Sequence, residues 1–211
     1  MIPAKPFYLI RHGETEANVT HTSAGGGLDS PLTERGRGQA QKVADLIHTL
    51  EIKPTKVVHS PMIRAKDTAT YINNKLSLLM DEIDDLKEHM LGEWEGQHWD
   101  EVFPHLLANV RPEGGENRDD FAERVKKIFH EILDTHDDPV MIVAHGGTFH
   151  SLLHLHDKEY FGSIDNCHLH YFEPSNDLGE MPWRIWQFDI EEDTLKKRPA
   201  PFCGSLIIDN D

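Results

Sequence analysis

A chain of 211 residues, 38% hydrophobic and 27% charged, has the length for one domain, or for one domain with a small insertion, and for a substantial buried core. Its formal net charge of −16 argues against a nucleic-acid-binding surface, and any anionic ligand must be drawn in by a local cluster of arginine and histidine. No apolar run reaches the roughly 18 residues of a membrane span, and "MIPAKPFYLI" is too short, and too soon followed by charge, for a secretory signal.

In chain order, "FYLIR" (7–11) has the continuous apolar character of a strand covered on both faces. "LTERGRGQAQKVADLIHTL" (32–50) carries Val43, Leu46, Ile47 and Leu50 at helical spacing, with Thr33 placed to cap it. "KVVHS" (56–60) predicts a second strand and "IRAKDTATYINNKL" (63–76) a second helix. Further on, Phe121, Val125, Ile128, Phe129 and Ile132 form one apolar stripe on a helix over 121–136. "PVMIVAH" (139–145) predicts a third strand, and a helix is expected after Gly146-Gly147. "HLHYFEP" and "WRIWQFDI" have the character of late strands. Strands alternating with helices imply an α/β fold, a three-layer α/β/α sandwich with a mostly parallel central sheet.

Such sheets bind ligands outside the carboxyl ends of their strands. There the first strand delivers Arg11-His12-Gly13, the second His59-Ser60 and the third His145-Gly146-Gly147, with Arg64 one turn into the following helix. Two histidines and two arginines at one crevice suit phosphoryl transfer. Each guanidinium can fork two N–H bonds onto phosphate oxygens, and a neutral imidazole is a competent nucleophile toward phosphorus. Glycine after each histidine is expected to let backbone approach the phosphate, and the helix after His145 to aim free N–H groups at it. A leaving alkoxide needs a proton, for which "DEIDDLKEHMLGEWEG" (81–96) offers Glu88, Glu93 and Glu95, with Asp84 and Asp85 nearby. Spacing does not choose among them.

The ordered set "LIRHGETEAN", "DSPLTERGRGQA", "SPMIRAKDTA", "LKEHMLGEWEG", "PEGGEN" and "VAHGG", within residues 6–150, resembles the histidine phosphatase superfamily, also called the phosphoglycerate-mutase-like family. The resemblance implies that His12 is the nucleophile that becomes phosphohistidine and that Glu88 is the proton donor. It implies that Arg11, Arg64 and His145 hold the phosphoryl group, with Asn18, Thr22, Ser23 and Gly146 as further phosphate or substrate contacts. The glycine triplet after Ser23 departs from the family's usual loop. The family chemistry needs no cofactor and no metal. Glu116 in "PEGGEN" is expected to support the site through hydrogen bonds. The stretch from His89 to Asn117, a small insertion, has Arg111 as its one basic side chain besides histidine. Phosphoglycerate mutases of the family carry several there, so the resemblance favours a small phosphatase like the alpha-ribazole and broad-specificity enzymes. A mutase, or a module that binds a phospho-ligand without turnover, are the alternatives.

The expected partner is a small-molecule phosphate ester, with no nucleic acid and no membrane. Acid in 89–117 predicts a neutral or cationic organic portion, by like-charge repulsion. Trp94 and Trp99 are placed either to line the pocket or to pack a core. His150 and His154, like His168 and His170, share a face and suggest a metal site, but surface or packing roles are favoured over ligation. A single domain spans 1–211, with a C-terminal tail from about 191 that matches nothing. Cys167 and Cys203 form neither a CxxC nor a disulfide framework, so a reducing cytoplasm is expected.

Overall fold

The two central strands owe their place to unbroken apolar runs. β1 (Phe7–Arg11) pairs in parallel with β4 (Val140–Ala144). Successive side chains enter opposite cores: Phe7, Leu9, Val140 and Ile142 on one face, Tyr8, Ile10, Met141 and Val143 on the other. Both faces are covered, which is why polar residues do not alternate here. The computed structural model describes residues 1–158, 160, 162–176 and 181–201; Cys203 and the end of the tail lie outside them.

Among the described residues the sheet has seven strands. β3 (Met80–Glu82) and β2 (Lys56–His59) extend it beyond β4, all parallel to β1. On the other side β5 (Leu169–Pro174), β6 (Trp183–Glu191) and β7 (Thr194–Pro199) follow in antiparallel order. The parallel half thus holds β1 to β4, and the late strands add an antiparallel flank. Helices α2 (Glu34–Leu46) and α3 (Ile63–Leu76) pack on one face, α5 (Arg118–Asp134) and α6 (Gly146–His154) on the other. A short α1 (Glu16–Val19) follows β1, and α4 (Trp99–Leu107) lies in the segment between β3 and α5.

Thr33 caps α2, its hydroxyl accepting from Gly36 N at 2.9 Å. α5 begins at Arg118, ahead of the apolar stripe, because Asn117 and Asp120 form a reciprocal cap (2.9 and 3.1 Å). The short α1, and β3, α4 and β7, were not expected from sequence. β3 has only three residues. α4 contains Pro104, a residue that normally argues against a helix interior. The tail from about 191 forms β7, reached through a two-residue turn in which Glu192 and Asp193 take φ of 46° and 59°. Its Lys196, Lys197 and Arg198 make a charged sheet edge that discourages pairing with another chain. Among the described residues, no helix is long and apolar enough to cross a membrane.

Candidate active site

The end of β1 turns into the cleft at His12, whose N–H still bonds to Ala144 O on β4 (3.0 Å). The ring is 4% exposed. Its Nδ1 lies 2.8 Å from the Gly13 carbonyl, which can only accept, so Nδ1 carries the proton and Nε2 keeps its lone pair. Burial, with help from Arg64 and Arg11, holds the His12 pKa well below 6.5, although the Gly13 carbonyl pulls the other way. His12 is therefore a neutral imidazole with its free nitrogen fixed.

Gly13 is required by packing. A Cβ there would strike the Gly36 carbonyl of α2, and one at Gly36 would strike the Glu14 carbonyl. The loop after His12 and the first turn of α2 thus meet backbone to backbone. Thr68, on α3, accepts from Gly13 N at 3.0 Å and donates to Arg64 O at 2.8 Å, tying the loop after His12 to the helix that carries Arg64. Nothing in the sequence pattern singled out Thr68.

Arg64 is 2% exposed and donates to Gly25 O (2.8 Å) and Leu28 O (3.3 Å). Arg11 donates to Ile164 O, while its buried Nε has no hydrogen-bond partner. Burial lowers both guanidinium pKa values, and Glu88 offsets part of that effect in each. Arginine stays charged regardless. Asn18 accepts at Oδ1 from Thr15 N (3.1 Å) and Asn166 Nδ2 (3.3 Å), so that among the described residues its hydrogen bonds fall on the oxygen and not on the NH2 group. Thr22 and Ser23 line the same cleft, with the Ser23 hydroxyl buried and unpaired.

His145 is fully buried next to His12, ring centroids 5.3 Å apart. Its Nε2 pairs with Ser60 Oγ at 2.8 Å and its Nδ1 is unpaired. Burial, then Arg64, His12 and Arg11, hold its pKa well below 6.5. From β2 it is thus Ser60, and not His59, that reaches the constellation. Arg11 Nε and Ser23 Oγ, on residues that line the cleft with His12, and Nδ1 of the neighbouring His145 are three buried unpaired polar atoms at this end of the cleft. Such atoms ordinarily find partners, so their concentration here fits an oxyanion-bearing ligand.

Glu88 reaches the cleft, and its carboxylate is held at both oxygens, by His89 N (2.9 Å) and Gly147 N (3.1 Å). The first turn of α6 therefore offers an N–H to this acid, where the sequence pattern had aimed it at phosphate. A Cβ at Gly147 would collide with Glu88 Oε1 and sit 2.8 Å from Phe121, which accounts for that glycine. Two of the other candidate acids are engaged elsewhere. Glu95 accepts from Gly27 N (2.9 Å) and Leu91 N (3.2 Å), and Asp84 pairs with Lys87.

Arg124 is the largest omission of the sequence pattern, where it sat on the charged face of an amphipathic helix. Its guanidinium donates to the carbonyls of Asp85 (2.8 Å), Lys87 (2.9 Å) and Glu88 (3.1 Å), and grips both oxygens of Glu116 (2.8 and 2.7 Å). Burial acts to raise the Glu116 pKa, but the Arg124 contacts prevail and hold it below the usual carboxylate range. Glu116 also accepts from Met90 N (3.2 Å) and bonds His89 Nε2 through its carbonyl (2.8 Å). One guanidinium and one carboxylate thus fix the backbone on both sides of Glu88.

The glycine triplet has a similar cause. Gly26 N bonds to His89 O (2.9 Å), and a Cβ at Gly25, Gly26 or Gly27 would press on Glu95, Met90 or the Glu88 carbonyl. The loop lies flat against the segment that carries Glu88. Together these elements enclose a cleft of about 700 Å³. Among the described residues its wall carries four formal positive charges (Arg11, Arg64, Arg118, Lys158) against two negative (Glu88, Asp100), within a chain of net charge −16.

The chain matches the family model described as histidine phosphatase superfamily (branch 1) over residues 7–181. It belongs to that superfamily. Curated members similar to it include a glucosyl-3-phosphoglycerate phosphatase of Mycobacterium tuberculosis, 28% identical over 86% of this chain and 93% of that protein. The uncharacterized phosphatase PhoE of Bacillus subtilis is 33% identical over the same shares, 86% and 93%. A solved structure of mycobacterial glucosyl-3-phosphoglycerate phosphatase in complex with VO3 superposes with a TM-score of 0.71 at 27% identity, covering 89% of this chain and 98% of that one.

Against these superfamily features, the expectation of a neutral or cationic organic portion loses its basis. Of the acids in 89–117 only Asp100 lines the cleft, because Glu95 and Glu116 are held by other groups and Glu93 accepts from Glu113 N. Trp94 packs in a small core with Leu91, Val102 and Leu106, whereas Trp99 lines the cleft. His154 pairs with Asp119 (3.2 Å) and His168 with Asp189 (3.1 Å), and no cluster able to hold a metal occurs among the described residues.

Proposed function

We propose that this protein is a phosphatase that hydrolyses a small phosphate monoester through a phosphohistidine intermediate, with His12, Glu88, Arg11, Arg64 and His145 carrying the reaction. The carrying observation is the neutral, oriented His12 imidazole flanked by Arg11 and Arg64, with Glu88 lining the same cleft. His12 Nε2 attacks phosphorus in line as the bond to the ester oxygen breaks, and Glu88 gives that oxygen its proton. Water then attacks the phosphohistidine, its proton passes to Glu88, and free phosphate leaves with His12 restored. Arg11 and Arg64 carry the charge on the equatorial oxygens. Asn18 NH2, Ser23 Oγ and His145 Nδ1 are the unengaged polar groups suited to the remaining phosphoryl contacts, with Thr22 and Gly146 on the same wall.

Relatives named for glucosyl-3-phosphoglycerate, for alpha-ribazole and, in a metal-independent form, for phosphoserine share the phosphomonoester end and little of the organic part. That supports the reaction and leaves the alcohol open. The superfamily match over 7–181 and a sheet continuing to Pro199 support a single catalytic unit, and a buried free thiol at Cys167 suits a reducing cytoplasm.

The test is phosphorus NMR on a panel of phosphate monoesters with metal chelated, beside His12→Ala. Phosphate released by wild type alone, with an acid-labile phosphoenzyme on quenching, is the expected result. Turnover retained in His12→Ala, or phosphoglycerates interconverted without net release, overturns it.

A further inference from the structure

α4 has apolar residues on two faces. Val102 and Leu106 are buried in the small core with Leu91 and Trp94. Trp99, Phe103 and Leu107, spaced i, i+4, i+8, form a second stripe that belongs to no core and lines the cleft instead. Trp99 is 41% and Leu107 44% exposed. The Trp99 and Phe103 rings lie 5.6 Å apart at 32°, so they form one tilted surface. An apolar stripe left uncovered in a functional cleft costs hydration free energy unless something covers it.

The stripe is fixed to the rest of the site. Trp99 N bonds to His21 O (2.8 Å), Ser23 N to Gln97 O (2.8 Å) and Gly96 N to Ser23 O (2.9 Å). The start of α4 is thereby joined to the loop that carries Thr22 and Ser23. The cleft, at about 700 Å³, falls in the ~300–1,000 Å³ range of sites that enclose drug-sized ligands. A phosphoryl group on a three-carbon alcohol would leave much of it empty.

We infer that Trp99 and Phe103 form a platform for the organic portion of the substrate, and that the preferred substrates are phosphate monoesters whose alcohol carries a flat ring. The inference rests on the phosphatase assignment above, since the occupant is covalently joined to the phosphoryl group at His12. Stacking on an aromatic pair adds to area burial, and the platform is held before the ligand arrives, so little ordering opposes binding.

The experiment compares kcat/KM for benzyl, cyclohexylmethyl and n-propyl phosphate, three alkyl esters, in wild type, Trp99→Ala, Phe103→Ala and Trp99→Phe. The benzyl-to-propyl ratio is expected to fall about tenfold in Trp99→Ala, mostly through KM, and to recover in Trp99→Phe. Benzyl and propyl esters losing equally, or neither losing, overturns the platform. So does a cyclohexylmethyl ester that loses as much as benzyl, because the claim is for a flat ring. Should wild type release phosphate from none of the three, the phosphatase assignment fails, and calorimetry of benzylphosphonate against propylphosphonate judges the platform alone. There, benzylphosphonate binding wild type more tightly, with the difference lost in Trp99→Ala, supports the platform, and equal affinities overturn it.

Discussion

The two ends of the cleft are built on different principles. At the phosphoryl end, Arg11 and His12 close one strand, His145 closes its parallel neighbour, and Arg64 sits in the first turn of the helix after a third. His12, Arg64 and His145 are at most 4% exposed. At the leaving-group end, Trp99, Leu107 and Lys158 are exposed, and the wall is assembled from a loop, the α4 insertion and the residues after α6. One end takes its precision from the sheet. The other takes it from contacts between segments far apart in the chain, such as Arg124 with the carbonyls before Glu88. A superfamily can therefore keep its reaction while the second end changes with the alcohol it meets.

Four further measurements test this contrast, the largest effect first. His12→Ala should lower kcat by at least about 1,000-fold on every ester alike, because it removes the bond-forming atom. A loss that varied strongly with the alcohol would blur the division between the ends. Next, Gly36→Ala drives a Cβ into the Glu14 carbonyl, and about 1–3 kcal/mol of stability should be lost to overpacking, read by urea unfolding. An unchanged midpoint would mean that the nucleophile's loop is not held rigidly by α2.

Arg124→Gln probes the joint between the ends. It removes the grip on Glu116 and on the carbonyls beside Glu88, so proton delivery should suffer while phosphate binding does not. kcat for alkyl phosphates should drop about tenfold, and that for 4-nitrophenyl phosphate, whose leaving group needs little protonation, should drop much less. Equal losses on both would assign Arg124 a purely structural role.

The smallest effect concerns acid stability. His170 is buried against Phe149, and burial, then His168, pushes its pKa down to about 3. In the unfolded chain it titrates near ~6.5. As pH falls below that value the unfolded state binds a proton the folded state refuses, so stability is complete above ~6.5 and declines beneath it. The decline at pH 6 should be about 1 kcal/mol for this residue, and His170→Phe should flatten the slope between pH 7.5 and 6. His12 and His145 act in the same direction. A slope indifferent to His170 would place the acid sensitivity elsewhere.

Much of the phosphoryl end was legible in the sequence because strand ends and helix starts leave local marks. "FYLIR" and "PVMIVA" are apolar runs that stop where the chain surfaces, and Thr33 announces α2 from its own position. The errors have physical causes as well. The packing demands on Gly13 and Gly147 left no mark in the sequence, because they come from the distant Gly36 and Glu88. α4 was hidden by Pro104, and β7 by a turn of Glu192 and Asp193 in place of the usual glycine.

What the sequence determined by itself was the placing of Arg11, His12 and His145 at strand ends and of Arg64 in the helix that follows, since those depend on residue type at fixed offsets from apolar runs. What the tertiary structure decided was which carboxylate is held toward the cleft, which glycines serve packing, and which tryptophan is core and which is wall. Those outcomes depend on distances between residues tens of positions apart, as between Glu88 and Gly147 or Arg124 and Lys87. Such distances exist only after the sheet has brought the segments together.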